Sequence, residues 1–537
     1  MALHIIPQLF AGLGMFLYGM NLMGGGLEKA AGNKMKHIIG LLTKNRFISV
    51  LVGIFVTGVI QSSSATTVMV VGFVNASLMS LNQAIGIIMG ANIGTTVTAQ
   101  LVSFDLESIA PVAIGIGVLL MMLKKTKRAK NFAEILVGFG ILFVGMNFMK
   151  DSLAPLREYQ GFRDLLVYFG HNAFLGILMG FLLTLILQSS SASIGILVAL
   201  ASQGVLPLES ALPILYGDNI GTCTTALISS IGASRNAQRA AIMHLVFNII
   251  GTILFSMVLM YPIRELVIFI NPDSTARQIA NAHSLFNIIN VVIQFPFAGL
   301  IVKIAEKLVP ITAGELSAVH TSRLDERMLE TPTIALENTL MECLNMGELA
   351  KKSLVGAMKG FVDKDEESVK SVLELEKQIN QMQLDLVDYL VKLSNTTLSA
   401  DDRTIVDNLF SVVSNVERIG DHAENIAELA AYVIEEDLQF SEEALIDIDI
   451  MYQKVLKSLE TALEARKTGK TELAEETLRL ENQVDMIEKA CRTGHINRLN
   501  QNVCNPSSGI MFLDLFSNLE RVSDHALNIA DSVLSEA

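Results

Sequence analysis

The spacing of hydrophobic and charged positions divides the chain into two parts of different character. Between Arg46 and Asp105 there is a run of 58 residues without Asp, Glu, Lys or Arg. As a helix that run would be about 87 Å long, which is nearly three crossings of a ~30 Å hydrocarbon core. Beyond about residue 310 the pattern changes to long amphipathic helices rich in Glu, Lys and Leu. The pattern predicts an all-α protein with a polytopic membrane part followed by a soluble helical part.

Individual membrane spans can be located from the apolar stretches. They are predicted at about 8–27, 82–103, 109–123, 132–150, 209–231, 239–260 and 278–302. An apolar stretch interrupted by the sequence QSSS lies after the first span and again after the fourth. The first arm of the earlier stretch, Phe47–Ile60, would be only ~21 Å long as a helix, which is short for a crossing. Each interrupted stretch is therefore predicted to be a re-entrant hairpin with its polar tip at membrane depth.

The membrane part is a tandem duplication. The segment Gln61–Ala65 (QSSSA) recurs 127 residues later as Gln188–Ala192. The segment Gly90–Thr95 (GANIGT) recurs at the same distance as Gly217–Thr222 (GDNIGT). A hairpin crosses the membrane either twice or not at all, so each repeat crosses an odd number of times. The two repeats are therefore predicted to be inverted relative to each other.

The placement of basic residues predicts the orientation in the membrane. Basic clusters precede the first hairpin, join the two repeats at Lys124–Lys130, and follow the fifth and the last crossing helices. Counting spans places all four clusters on one side, which the positive-inside rule makes cytoplasmic. We therefore predict a multi-pass protein of the cell membrane, with its N-terminus outside and its C-terminal domain in the cytoplasm.

The soluble part carries a duplication of its own. The segment Glu417–Ala427 recurs as Glu520–Ala530, 103 residues later. That spacing accommodates about three helices in each copy, so we predict a soluble double three-helix bundle. The predicted segments are a membrane domain at 1–305, with repeats at about 8–123 and 132–260 and an extra helix at 278–302, a linker at 306–330, and a cytoplasmic helical domain at 331–537.

Charge and cysteine content exclude several classes of protein. The formal net charge is −14 and most of it lies in the soluble part, so no nucleic-acid partner is predicted. The four cysteines, including Cys504, show no CxxC or framework spacing, so we expect no disulfide bonds. Neither half contains a nucleophile–base or phosphate-loop pattern, so no enzymatic activity is predicted.

The polar tips of the two hairpins form the candidate transport site. Each tip offers a Gln amide, three hydroxyl groups and the free backbone N–H groups of the next helix, and helix N-termini bind anions without Lys or Arg. Inverted repeats with broken helices hold substrate where the breaks meet. Close helix packing is the alternative for small polar residues, but it explains a duplicated QSSS run poorly. The candidate substrate-binding residues are Gln61, Ser62, Ser63, Ser64, Gln188, Ser189, Ser190 and Ser191.

Co-transported cations are predicted to balance an anion at the tips, since burying an unpaired charge is very costly and no basic side chain is present there. The oxygens of Asn and Thr side chains are suitable ligands for Na⁺. Asp218 stands where the first repeat has Ala91, and a carboxylate within a membrane is a functional hypothesis by default. The alternative places Asp218 at the outer interface. The candidate sodium-binding residues are Asn92, Thr95, Asn219, Thr222 and Asp218.

Two further motif pairs leave alternatives open. The sequence H-x-x-F-N-I-I occurs at His244–Ile250 and at His283–Ile289, and hydrogen bonding between helices is the preferred interpretation. In the soluble domain, each copy has two carboxylates four residues apart on one helix face. Such a pair is either part of a divalent or ferric metal site or a solvated acidic face. These candidate metal ligands are Glu417, Asp421, Glu520 and Asp524.

These motifs resemble those of a known family. The paired QSSS segments, the N-I-G-T segments after them and the inverted duplication are similar to the bacterial branch of the type II sodium-dependent phosphate cotransporters, over about 1–305. The resemblance implies that Gln61–Ser64 and Gln188–Ser191 form the transport site for phosphate and sodium. Residues 330–537 resemble PhoU, a helical regulator of phosphate uptake whose family carries an E-x-x-x-D metal motif in each repeat. The four carboxylates named above match that motif.

The leading functional prediction is a sodium-coupled inorganic phosphate symporter, embedded in membrane lipid and regulated by its cytoplasmic domain. One alternative keeps the transport class but changes the cargo, the coupling ion or the direction: another oxyanion, protons, or phosphate export. A second alternative is a membrane receptor that reports phosphate to the helical domain. Both hairpin tips are intact, which favours transport. A homodimer is left open by the sequence.

Overall fold

A computed structural model of the protein describes residues 2–40, 45–76, 78–104, 106–123, 126–161, 172–310, 324–500 and 505–536. Within these ranges the secondary structure consists of helices and turns, which confirms the all-α fold class. The chain forms two compact units, Met1–Thr321 and Ser322–Ala537. Most of the predicted linker, Cys504 and parts of the predicted basic clusters lie outside the described residues.

The described part of the membrane unit contains fifteen α-helices. They are α1 (Ala2–Gly40), α2 (Arg46–Ile60), α3 (Ser63–Asn75), α4 (Leu81–Gly94), α5 (Thr96–Val102), α6 (Ala110–Leu123), α7 (Lys127–Leu153), α8 (Ala173–Leu187), α9 (Ser190–Ser202), α10 (Leu208–Gly221), α11 (Cys223–Ser229), α12 (Arg235–Leu254), α13 (Met260–Ile270), α14 (Thr275–Gln294) and α15 (Ala298–Leu308). A π-helical turn at Phe255–Leu259 joins α12 to α13, and a 3₁₀ turn at Phe295–Phe297 joins α14 to α15.

Five helical segments in the described ranges are long and apolar enough to cross a membrane. They are Ile5–Ala31, Leu81–Val102, Arg128–Arg157, Arg235–Ile270 and Thr275–Leu308. The spans predicted at 82–103 and 209–231 each contain a one-residue break, at Thr95 and at Thr222, which divides them into α4 and α5 and into α10 and α11. The last two segments extend beyond their predicted ends, because each continues through a turn into a second helix.

Each QSSS segment separates two short helices. In both hairpins the first helix has 15 residues and the second has 13. A helix of that length reaches ~22 Å, which falls short of a ~30 Å hydrocarbon core, as a re-entrant hairpin requires. The hydroxyl of Thr57 in α2 donates to the hydroxyl of Thr66 in α3 at 3.0 Å. The two arms of the first hairpin therefore fold back on each other.

The equivalent helices α1 and α7 pack against each other in antiparallel directions. A Cβ atom added at Gly12 would lie 2.9 Å from the carbonyl oxygen of Gly145, and one added at Gly19 would lie 2.7 Å from that of Gly138. Since Gly12 and Gly19 correspond to Gly138 and Gly145 in the duplication, the contact is symmetrical about a two-fold axis. The two repeats are therefore inverted, and close backbone approach through glycine holds them together.

The soluble unit contains two three-helix bundles. After a 3₁₀ turn at Glu326–Glu330, its described helices are α16 (Pro332–Asp363), α17 (Glu366–Ser394), α18 (Ala400–Glu435), α19 (Glu442–Thr468), α20 (Thr471–Asn500) and α21 (Pro506–Leu534). The N-caps Asp365, Ser399 and Ser441 accept backbone N–H groups at the starts of α17, α18 and α19. Helices α16–α18 form one bundle and α19–α21 the other, and α18 packs against α21 between them.

Candidate functional site

The two hairpin tips have the same backbone geometry. In each tip the first helix ends at a Gln in the left-handed conformation, with φ of 61° at Gln61 and 50° at Gln188. The next residue, Ser62 or Ser189, is the N-cap of the second helix and accepts a backbone N–H from three residues later, at 3.1 and 3.2 Å. Positive φ is uncommon for a residue such as Gln, and strained positions of this kind concentrate at functional sites. The break leaves the first N–H groups of α3 and α9 directed at the tips.

The side chains of the two tips differ in exposure. Ser63 and Ser190, the first residues of α3 and α9, are 4% and 7% exposed. Gln61 is buried, and its Oε1 accepts a hydrogen bond from the hydroxyl of Thr98 at 2.8 Å. Gln188 is exposed. The Gln side chain of the first tip is therefore held against α5, whereas that of the second tip is exposed. The other tip residues are half-buried Ser62, Ser64 and Ser189 and buried Ser191.

Each N-I-G-T segment lies at a break in a helix. The breaks fall at Thr95, between α4 and α5, and at Thr222, between α10 and α11. The amide nitrogens of Asn92 and Asn219 donate to carbonyl oxygens of their own helices at 2.8 and 2.9 Å. Their Oδ1 atoms are therefore the atoms available to a ligand. These four side chains are between 3% and 6% exposed, so a cation bound by them would be largely dehydrated.

Glycines place these breaks against the hairpins. A Cβ atom added at Gly94 would lie 2.7 Å from the Cβ atom of Thr57, and one added at Gly221 would lie 2.7 Å from the Cβ atom of Thr184. Both glycines therefore pack closely against the first arm of a hairpin. That close packing brings the N-I-G-T segment of each repeat next to the first arm of its own hairpin.

Asp218 is fully buried among the helices of the second repeat. Its Oδ1 atom accepts a hydrogen bond from the hydroxyl of Thr184, in the arm that leads to the second tip. Its Oδ2 atom has no hydrogen-bond partner in the described part of the chain, and neither has the buried hydroxyl of Ser193 in α9. The equivalent position in the first repeat is the buried, apolar Ala91. The site therefore contains one carboxylate, and that carboxylate has an oxygen available for a cation or a proton.

The His–Asn faces of α12 and α14 are also buried. Asn248 donates to the Sγ atom of Cys223 in α11 and to the carbonyl oxygen of His244, both at 3.2 Å. Asn287 donates to the carbonyl oxygen of His283 at 3.0 Å. Asn248 therefore makes the hydrogen bond between helices that the sequence favoured. The ring nitrogens of both histidines have no partner in the described residues.

The candidate metal ligands of the soluble unit lie on α18 and α21. Burial raises the pKa of Glu417, Glu520 and Asp524 above the usual ranges. The neighbouring Glu376 on α17 is only 3% exposed, and neither of its carboxylate oxygens has a hydrogen-bond partner in the described ranges. Burial, followed by the nearby charge of Asp421, raises the pKa of Glu376 to about 7. This orphaned carboxylate is compatible with a cation between α17 and α18.

Glu376 and its counterpart in the second bundle were missed by sequence reasoning. The signal that could have found them is a second internal match, in which Leu373–Ile379 (LELEKQI) recurs as Leu478–Val484 (LRLENQV). The match pairs Glu376 with Glu481, and burial with the charges of Asp485 and Asp524 raises the pKa of Glu481. The described residues contain no group of three or more His, Cys, Asp or Glu side chains already gathered for metal binding.

The rest of the duplicated D-H-A-x-N-I-A motif joins the two bundles. The rings of His422 and His525 stack with their centroids 5.6 Å apart. The Nδ1 atom of His422 is 2.9 Å from Oδ1 of Asn518, and the Nδ1 atom of His525 is 2.9 Å from Oδ1 of Asn415. Each histidine thus pairs with an asparagine of the other copy. These residues hold α18 against α21. Packing between the two helices therefore accounts for the repeated motif, and no ligand is needed to explain it.

Two inverted repeats, each with a broken hairpin whose polar tip faces helix N-termini, define a secondary transporter. The Na⁺/Pi-cotransporter family model matches 15–151 and 156–295, and the PhoU domain model matches 343–430 and 448–533. The chain belongs to the Na⁺/Pi-cotransporter family, and its C-terminal part carries PhoU domains. This confirms the family resemblance of the sequence. The family comprises transporters rather than enzymes.

Individual relatives cover different parts of the chain. A Salmonella typhimurium protein named "Putative inorganic phosphate export protein YjbB" is 24% identical over 98% of this chain and 97% of its own length. The sodium-dependent phosphate transport protein 2C of Mus musculus is 40% identical over 91 residues, which are 16% of this chain and 15% of the mouse protein. The crystal structure of PhoU from Pseudomonas aeruginosa matches with 27% identity and a TM-score of 0.36, over 37% of this chain and 96% of that one.

Proposed function

We propose that this protein is a sodium-coupled carrier of inorganic phosphate in the cell membrane, regulated by a cytoplasmic PhoU-like domain. The observation that carries the proposal is the pair of broken hairpins, each presenting three serines and a helix N-terminus without a basic side chain. Phosphate is held there by neutral donors and partial helix charges. Its negative charge is balanced by sodium, because an uncompensated anion at that depth would be very costly.

The proposed site has one part for the anion and one for the cations. Phosphate oxygens accept hydrogen bonds from Ser63 and Ser190 and from the first backbone N–H groups of α3 and α9. Sodium is bound by the Oδ1 atoms of Asn92 and Asn219, by the hydroxyls of Thr95 and Thr222, and by Asp218. Every one of these is an oxygen ligand, the type that suits a hard cation. Binding of the cation before or with phosphate follows from their mutual charge compensation.

Export is a second candidate for the direction of net flux. The observation that favours it is the match to a protein named for phosphate export over 98% of this chain, including its C-terminal part. A carrier moves its cargo in either direction, depending on the gradients of cargo and coupling ion. Import and export therefore use the same tips and the same cations, and they differ in the driving force and in the control that the soluble domain exerts.

Flux measurements in liposomes test the proposed function. We expect purified protein to accumulate labelled phosphate when an inward sodium gradient is imposed, and to accumulate much less when choline replaces sodium. Efflux is measured with the same liposomes after they are loaded with labelled phosphate, with sodium placed either inside or outside. Competition by sulfate and arsenate determines the cargo class. Phosphate flux that is equal with sodium and with choline at fixed pH would contradict sodium coupling.

We also propose that the soluble domain binds a divalent or ferric cation at each pair of carboxylates. In the first bundle the ligands are Glu417 and Asp421 together with the orphaned Glu376. In the second bundle they are Glu520 and Asp524, with Glu481 in the position of Glu376. Carboxylate oxygens favour hard cations such as iron, manganese and magnesium over copper. A bound cation would neutralise the repulsion between these acidic side chains and thereby fix α17 against α18.

The exchange Glu376→Gln tests this metal site in the full-length protein. We expect it to weaken manganese binding at least about tenfold, since ligand-sphere changes commonly cost 10- to 100-fold in affinity. The pKa of Glu376 is about 7, so this carboxyl is mostly protonated below that pH and ionised above it. Manganese affinity should therefore rise as the pH increases from about 6 to about 8. Calorimetric titration and elemental analysis measure both effects.

The exposed Glu374, two residues before Glu376 on α17 and paired with Lys377 at 2.9 Å, provides the control. Glu374→Gln should leave manganese affinity and its pH dependence unchanged, because exposed ion pairs contribute little. Equal metal content in the wild-type protein and in the variant with Ala at Glu417, Asp421, Glu520 and Asp524 would show that these carboxylates form only a solvated surface.

A further inference from the structure

Helices α12 and α14 occupy equivalent places about the two-fold axis of the membrane unit. Both begin with an N-cap Ser, and both carry the sequence H-x-x-F-N-I-I. Helix α12 packs against α3 and α11, whereas α14 packs against their counterparts in the other repeat, α9 and α5. The helices cross in antiparallel directions, with Gly251 against Asn290 and Phe247 against Gln294. The start of each helix therefore meets the end of one hairpin arm, and the two junctions lie at opposite ends of the unit.

The junction between the end of α3 and the start of α12 is closed by a hydrogen bond. The Oδ1 atom of Asn75, the last residue of α3, accepts the backbone N–H of Ser234 at 2.8 Å. The following residue, Ala76, is only 4% exposed. Arg235 lies at this junction and belongs to one of the basic clusters that are predicted to be cytoplasmic. The junction is therefore expected on the cytoplasmic side.

The junction between the end of α9 and the start of α14 contains a cavity of about 590 Å³. Ser202 and Gln203, which stand 127 residues after Asn75 and Ala76, line this cavity together with Ser274. The hydroxyl of Ser202 donates to a carbonyl oxygen of its own helix at 2.8 Å. A serine side chain is shorter than that of asparagine and does not repeat the bond that Asn75 makes. Two junctions with equivalent topology thus differ, one being closed and the other open.

We infer that these two junctions are the gates of the carrier, with Asn75 as the latch of the gate that is closed in this structure. A carrier built from inverted repeats exposes its midplane site to one side at a time, and the two repeats exchange conformations during the cycle. Transport would then break the bond between Asn75 and Ser234 and close the cavity at the end of α9.

The difference between Asn75 and Ser202 also sets the resting preference of the carrier. The closed gate has the Asn75 side chain bonded across it, whereas among the described residues no side chain at the end of α9 bonds to the start of α14, which is held instead by Arg277 bonding to Ser103. The state with the α3–α12 gate closed and the α9–α14 gate open is therefore the more stable one without cargo. The free-energy difference between the two resting states that arises in this way is no larger than the contribution of the one hydrogen bond that Asn75 makes. The inference requires a carrier but depends on neither phosphate nor sodium.

A reporter cysteine at the closed gate tests the inference in the full-length protein. Ala76→Cys is buried while the gate is closed, so its reaction with a membrane-permeant maleimide measures the opened population. We expect Asn75→Ala to raise the labelling rate about fivefold, as loss of one hydrogen bond typically changes an equilibrium. We expect Ser202→Asn to raise it similarly, because the new side chain can bond to the start of α14 when the opposite gate closes.

Ser202→Ala is the matched control and should leave the labelling rate unchanged, since it introduces no latch. The four native cysteines are measured in the same backgrounds without the reporter. Ser202→Asn is at the distant gate, so its effect on Ala76→Cys cannot be a local disturbance, and it decides the question even if Asn75→Ala fails to fold. Unchanged labelling in a correctly folded Ser202→Asn variant would overturn the inference. Labelling is read without cargo, so this result is independent of whether phosphate is transported.

Discussion

Replacing Ser63 or Ser190 by Ala is expected to lower the initial rate of phosphate flux at least about tenfold. Each serine is the first residue of a helix that begins at a hairpin tip, and both are nearly buried. A hydrogen bond to a charged group contributes ~1.5–3 kcal/mol, and no basic side chain at the tips can substitute for a lost donor. Each single variant should show the defect, because the proposed site lies between both tips. Labelled phosphate in liposomes measures the rate.

Ser152→Ala is the matched control for the two tip variants. Ser152 is a buried serine of the membrane unit, but its hydroxyl donates to the carbonyl oxygen of Met149 in its own helix at 2.8 Å. Its removal should leave flux near the wild-type rate and have little effect on folding. If Ser63→Ala and Ser190→Ala both transport at the wild-type rate while eluting as folded protein, the proposed site between the tips is wrong.

Asp218→Asn is expected to weaken the apparent affinity for sodium about tenfold or more. Asn preserves the shape of the side chain and can still accept a hydrogen bond from Thr184, so the change removes mainly the negative charge. Asp218 is the one carboxylate that the described helices of the site bury, and its Oδ2 atom has no partner among them. Loss of that charge leaves a bound cation uncompensated in a medium of low dielectric constant. The sodium dependence of phosphate flux at fixed pH measures the effect.

Glu209→Gln provides the control for Asp218, because Glu209 lies on the same helix α10 but is exposed and paired with Arg264 at 2.7 Å. It should leave the sodium dependence unchanged. Asp218 carries a proton instead if Asp218→Asn removes the pH dependence of flux and leaves the sodium affinity intact. That outcome would refute its assignment to sodium and favour proton coupling.

The sequence alone determined the architecture of this protein, because its two duplications survive as repeated motifs in constant register. An uncharged run interrupted by QSSS predicts a broken hairpin, because the arm before the interruption is too short to cross a membrane. The odd number of crossings predicts inversion, which the packing of Gly12 and Gly19 against Gly145 and Gly138 bears out. The family follows from the same local patterns, which need no knowledge of distant contacts.

Tertiary structure decided what depends on helices that are far apart in the chain. The breaks at Thr95 and Thr222 divide stretches that look continuous in hydropathy, and Asp218 is buried by helices from other parts of the chain, including the arm that carries Thr184. Glu376 is one acidic residue among many on an amphipathic helix until α18 covers it. The difference between Asn75 and Ser202 has no meaning in the sequence, because each acquires a role only from the helix start that packs against it. The environment of a side chain is a property of the packed fold, because it depends on residues that are distant in the sequence.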